Sequence, residues 1–174
     1  MMIIGLLILL RQLTKVQTIP LNVQRTVVKT SPSKEDIGAR LKRANIPRTS
    51  LLYSRHTSKF VKVNGSKIHA NANRNDAYAE LILTTRGING EQSIQGKKSK
   101  MFICMDKKGK IISMGTFKAQ RCTFLHRIND DGYHTFRLLS NQRWFLGFKQ
   151  NGRLKHGNKT SHDHKAAWLM METS

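Results

Sequence analysis

From Leu51 onward the apolar residues fall in short runs separated by Gly, Asn and Lys: LLYS, KFVKV, AELILTT, MFICM, KIISM, CTFLHRI, YHTFRLL, WFLGF and AAWLMM. No helical period links them. Short strands at regular spacing, punctuated by turn residues, predict an all-β domain.

Three of these runs open versions of one unit. KFVKVNGSKI, MFICMDKKGKI and WFLGFKQNGRL each carry a Phe, three further strand residues, a polar turn with Gly, and an aliphatic residue after a basic or small one. Phe60, Phe102 and Phe145 lie 42 and 43 residues apart; Gly65, Gly109 and Gly152 lie 44 and 43 apart. The glycines suit turn positions that need positive φ. Units of about 43 residues, with about four strands each, therefore fill residues 50–171. Propeller blades and paired-helix repeats share that period, but propellers need at least about four blades. The strand pattern rules out helix pairs. Three four-stranded units around one core predict a β-trefoil over residues 50–172, with accidental repetition as the alternative.

Upstream, residues 19–49 read as a basic extension holding Pro20, Pro32 and Pro47, the 3 prolines of the chain. Within it, Ser33 and Asp36 resemble a capping box, and Ile37 and Leu41 share a helix face. Acidic residues come first and basic ones last, as the helix dipole favours. A short N-terminal helix near Lys34–Ala44 is predicted, against a solvated basic linker. Residues 1–18 carry an apolar run, Met1–Leu10, stopped by Arg11. That run is shorter than the roughly 20 residues that span a bilayer. It fits the h-region of a secretory signal cut near Ile19; a hydrophobic strand or anchor is the alternative.

Charge sharpens the picture. The chain has 31 Lys+Arg against 10 Asp+Glu, a net charge of +21. Such a surface predicts a polyanionic partner. Secretion would make sulfated glycan the partner and exclude nucleic acid; charge alone leaves a nucleic-acid-binding protein as an alternative. With the signal removed, no membrane insertion is expected.

Enzyme chemistry finds no support. The chain has no GxSxG, phosphate-binding glycine loop or dinucleotide fingerprint, and no carboxylate pair stands out for acid–base work. Cys122 and His126 share a strand face but suit structural roles. His156, His162, Asp163 and His164 sit among lysines, which oppose a metal cation. No catalytic residue, metal or cofactor is expected.

Cys104 and Cys122 are the chain's 2 cysteines. Both lie in apolar runs and read equally as buried thiols or as a single bridge. Asn64 and Asn158 open candidate N-glycosylation sequons. Between Asn141 and Lys165 lie Arg143, Lys149, Arg153, Lys155, Lys159 and Lys165, with Asp163 as the one acid. Lys and Arg hold sulfates through charge-assisted hydrogen bonds, and glycines let backbone amides face an anion. A merely solvated face is the alternative.

These residues resemble the fibroblast growth factor family over roughly Leu51–Met171. LLYSRHTSKFVKV is similar to its first hairpin, MFICMDKKGKI to its cysteine-containing signature strand, and CTFLHRINDDGYHTF to the following strand pair. NGRLKHGNKTSHDHKAAWLM resembles its glycan-binding segment. LYSRHTSKFVKV and EDIGARLKRA resemble the subfamily of members eight, seventeen and eighteen. The spacing of Cys104 and Cys122 resembles that subfamily's disulfide.

The resemblance implies a secreted, extracellular, non-enzymatic ligand. It would be a monomer that assembles with the immunoglobulin-like ectodomain of a receptor tyrosine kinase, with heparan sulfate as co-receptor. The implied heparan-binding residues are Lys149, Gln150, Lys155, Lys159, His164, Lys165 and Ala166, with His56 in the first-hairpin loop; Arg153 joins them on charge alone. The implied receptor-binding positions are Tyr53, Phe60, His126, Tyr133 and Met170, with strand packing as the other reading of the apolar and aromatic ones. His126 stands where the family has a Glu, and Gly132 where it has an Asn. A receptor contact there is lost or inverted in charge. A divergent ligand with its own receptor, invertebrate or viral, fits these departures. A secreted glycan binder or antagonist is the alternative function.

Overall fold

The computed structural model describes residues 45–173. The expected signal segment and the helix near 34–44 lie outside the described residues. The described residues form ten antiparallel strands. They are β1 (Pro47–Ser54), β2 (Lys59–Asn64), β3 (Lys67–Ala72), β4 (Leu81–Thr85), β5 (Glu91–Gly96), β6 (Phe102–Met105), β7 (Ile111–Met114), β8 (Phe124–Ile128), β9 (His134–Leu138) and β10 (Leu169–Thr173).

Six strands close on themselves: β1 pairs β4, β4 pairs β5, β5 pairs β8, β8 pairs β9, β9 pairs β10, and β10 returns to β1. Closure removes the open edges that a flat sheet would expose. Three hairpins complete the repeats: β2–β3, β6–β7, and residues 145–155. The chain is a β-trefoil.

The repeat read from sequence is visible in the core. Val61, Ile103 and Leu146 occupy one repeated position, and Val63, Met105 and Phe148 another; all six are buried in one cluster. Ile68 and Ile111 lie there too, with Leu154 packed against it. Phe124 and Phe136 fill the barrel from β8 and β9. Burying an aliphatic or Phe side chain contributes about 1.5–3 kcal/mol, so this layer dominates stability.

Gly65, Gly109 and Gly152 have φ of +55°, +77° and +79°. Gly152 also permits a close approach: a Cβ there would sit 2.9 Å from the Ala70 carbonyl oxygen.

Two differences from the sequence reading appear. β1 opens at Pro47, where residues 47–50 pair with β4, so the barrel starts ahead of the expected boundary at residue 50. Proline breaks a strand pattern in sequence but is tolerated as a strand's first residue. The WFLGF run forms no regular strand; it makes only the bridges Arg137↔Phe145 and Phe148↔Leu154. Its amides turn to different partners. Phe145 donates to Gly157, Leu146 to Phe136, and Phe148 to Ala166. No single neighbour runs alongside it long enough to build a ladder.

Candidate functional site

The basic segment 149–166 is fastened from below by small or hydroxyl side chains. Lys149 N–H donates to the Arg153 carbonyl and Gly152 N–H to that of Lys149, closing the third hairpin turn. Gly157 N–H donates to the Gly109 carbonyl, tying the segment to the β6–β7 turn. Buried Thr160 donates its hydroxyl to the His156 carbonyl at 2.8 Å and packs against Gly147, where a Cβ would lie 2.7 Å from its methyl. A short 3₁₀ turn, Lys165–Ala167, then leads into β10. Ala166 is buried, and its carbonyl accepts from Phe148 N–H.

This folding brings His56, Lys149, Gln150, Lys155, His164, Lys165 and Ala166 around an open depression of about 460 Å³. Asp163, the one acid of the basic segment and not among the expected heparan-binding residues, completes the wall. Its carboxylate pairs with His162 at 2.6 Å. Arg153 and Lys159 are exposed but do not line the depression. Lys159 belongs to a 3₁₀ turn, Gly157–Lys159, whose Asn158 amide donates to the Lys108 carbonyl at 3.3 Å, which holds that turn against the β6–β7 hairpin.

Lys155 Nζ sits 3.1 Å from His164 Nδ1, which Ser161 N–H also approaches at 3.3 Å. Two donors, the Lys155 ammonium and the Ser161 N–H, converge on Nδ1, the arrangement in which that nitrogen accepts. Lys149, Lys155 and Lys165 have no acidic partner among the described residues. Uncompensated cations around a shallow cavity attract a multiply charged anion.

The expected receptor positions divide. Tyr53 on β1 is paired with Met170 on β10 and with Phe60 on β2. Met170 is exposed at 44%, whereas Phe60 is 9% exposed and packs with Leu51, Ala72 and Ala79 in a small second core. Tyr53 meets Phe60 edge-on at 5.3 Å between centroids. Tyr133 stacks on Trp168 at 5.0 Å, and Arg55 Nε donates to the Tyr133 hydroxyl at 3.1 Å. Trp168 Nε1 in turn donates to the His162 carbonyl at 2.7 Å. Arg55 and Trp168 were missed in sequence, where Trp168 read only as part of an apolar strand.

His126 stacks on His134 at 4.9 Å and on Phe136 at 5.0 Å, with its Nε2 2.6 Å from His134 Nδ1. Burial, then the nearby His134 and Arg127 charges, pushes its pKa down to about 4. Burial lowers His134 as well. Near pH 7 this chain therefore presents a neutral ring pair at His126 and His134.

Cys104 on β6 and Cys122 in the helical turn Ala119–Cys122 are joined by a disulfide, with sulfurs 2.06 Å apart. Asn64 is exposed at the β2 end; Asn158 is exposed with its amide engaged as above. Among the described residues no group of three or more His, Cys, Asp or Glu side chains is arranged to hold a metal. No helix among them is long and apolar enough to cross a membrane.

The described residues form a β-trefoil that carries a basic, acid-poor depression and a face of stacked aromatic side chains. Residues 48–170 match the model of the fibroblast growth factor family, and the chain belongs to that family. It is 29% identical over 119 residues to human fibroblast growth factor 18, covering 68% of this chain and 58% of that protein. It is 31% identical over 116 residues to human fibroblast growth factor 17, covering 67% and 54%. With mouse fibroblast growth factor 8 the values are 32% over 124 residues, 71% and 46%. The chain thus spans about half the length of these relatives.

Proposed function

We propose that this chain is a secreted growth factor that binds and activates a receptor tyrosine kinase, with heparan sulfate as co-receptor and no catalysis of its own. The observation that carries the glycan half is the set of three lysines around the 460 Å³ depression, none of them in a salt bridge among the described residues, while the one acid in the wall, Asp163, pairs with His162. The exposed Met170 beside the half-buried Tyr53, together with the Tyr133–Trp168 stack, supplies the receptor half, because aromatic and Arg anchors concentrate interface energy. The organisation proposed with it is a leader over residues 1–18, a basic extension over 19–49 and the trefoil. A disulfide accords with an oxidising, extracellular setting.

A second reading, a secreted glycan binder or antagonist, is favoured by the neutral His126–His134 pair at a receptor-facing position. Cells expressing the receptors of the source organism separate the two. Purified protein with heparin raises receptor tyrosine phosphorylation if it is a growth factor. An antagonist leaves the basal level unchanged and blocks other ligands.

A further inference from the structure

On the other side of the Ser161–Lys165 loop lies a second cavity, of about 380 Å³. Its cationic lining comes from Arg127 on β8 and Arg137 on β9, with His162 on the loop beside them; Phe145 and Ile128 supply apolar walls. His162 faces this cavity while His164 faces the lysine depression, so one loop separates two basic hollows.

Arg137 is the informative residue. Its Nε is buried and has no hydrogen-bond partner, and its guanidinium has no acidic partner among the described residues. A buried donor without an acceptor carries a desolvation cost that a ligand acceptor would relieve. Arg127 uses Nη1 on the Asn89 and His126 carbonyls at 2.7 and 2.8 Å, which fixes its guanidinium at the rim. Asp130 and Asp131, in the turn of the same hairpin, do not line the cavity.

We propose that this cavity receives the carboxylate side chain of an acidic residue on a partner polypeptide. Arginine suits a planar carboxylate because its fork donates two parallel hydrogen bonds. The Phe145 ring and the Ile128 side chain, the latter 61% exposed at the edge, fit the methylene stem of Glu. The proposal does not depend on the heparan site.

The Nε–H resonances of Arg127 and Arg137 in the full-length labelled protein test it. N-acetylglutamate N-methylamide should shift the Arg137 Nε–H signal saturably, and the glutamine analogue should not. Arg137→Gln should weaken that binding about tenfold or more while leaving heparin elution unchanged. If Arg137→Gln fails to fold, Arg127→Gln should give the same weakening. An equal shift with the glutamine analogue, no saturable shift, or a shift of Arg137 produced by a heparin hexasaccharide instead would overturn the assignment.

Discussion

Lys155 Nζ and His164 Nδ1 approach to 3.1 Å across the lysine depression, joining the end of the third hairpin to the loop before β10. The contact gathers two basic residues nine positions apart into one hollow. It also ranks the lysines. Lys155→Ala and Lys165→Ala should each lower the salt needed to elute the protein from heparin more than Arg153→Ala or Lys159→Ala does. By counterion release, each lost ion contact should also make the fall of log K with log salt less steep. Equal effects at all four positions would remove the depression as the centre of binding.

Phe60 and Met170 should part company. Phe60 is packed in the second core, so Phe60→Ala should cost about 3–4 kcal/mol in denaturant unfolding. Met170 is exposed, so Met170→Ala should change stability by about 0.5 kcal/mol or less. Its effect should appear instead in receptor-ectodomain affinity, measured by biolayer interferometry.

Tyr133→Ala removes a stacked ring together with the acceptor for Arg55. We expect about tenfold or more weaker receptor binding, in line with an aromatic anchor. Tyr133→Phe keeps the stack and loses the hydroxyl, so it should fall between. Unaltered binding in the Ala variant would place the receptor face elsewhere.

Stability should depend on the His126 ring. Its ordinary pKa is 6.5, and in the fold it is pushed down to about 4, first by burial. Between those values the unfolded chain binds a proton that the folded chain refuses. Stability is therefore full above pH 6.5, falls as pH drops toward about 4, and gains no further loss from this ring below that. Because the ring is partly exposed, the loss should be on the order of 1 kcal/mol, below the unscreened figure. His134 acts in the same direction. Asp76 and Asp106 are held below 3.8, chiefly by backbone N–H donors, so their loss belongs to a more acidic window. Melting curves of His126→Gln should be flatter between pH 6.5 and 4 and unchanged in the lower window.

The disulfide joins residues 18 apart in sequence, and both cysteines are fully buried. Replacing both with Ser should lower stability by about 3 kcal/mol through the freer unfolded chain. Peptide mapping of the unreduced protein should recover the two segments linked. Two alkylatable thiols in the unfolded, unreduced protein would contradict the bridge.

The architecture was largely legible because its constraint is periodic. Gly65, Gly109 and Gly152 must turn with positive φ, and Val61, Ile103 and Leu146 must all face one axis. Such requirements write themselves into sequence at fixed intervals. The third hairpin was legible as a repeat but not as a pair of bridges, because its backbone partners come from three distant segments. At the site, the lysines announced themselves by charge. Asp163 stood out as the one acid of the segment, but its place in the wall follows from a loop path and was not legible. Trp168 and Arg55 were hidden for a similar reason: an aromatic in an apolar run reads as core until the fold sets it against Tyr133. Local pattern also left the cysteine pairing open, since two apolar strands with one thiol each look the same joined or apart.

The central claim is that the lysine depression and the aromatic face act together to assemble a receptor. Light scattering of the protein with a receptor ectodomain of its own organism, with and without a heparin oligosaccharide, tests this most directly. A ligand–receptor complex should form or strengthen when heparin is added, and Lys155→Ala/Lys165→Ala should abolish that gain. Binding of heparin with no ectodomain complex under either condition would contradict the growth-factor reading and leave a glycan-binding trefoil.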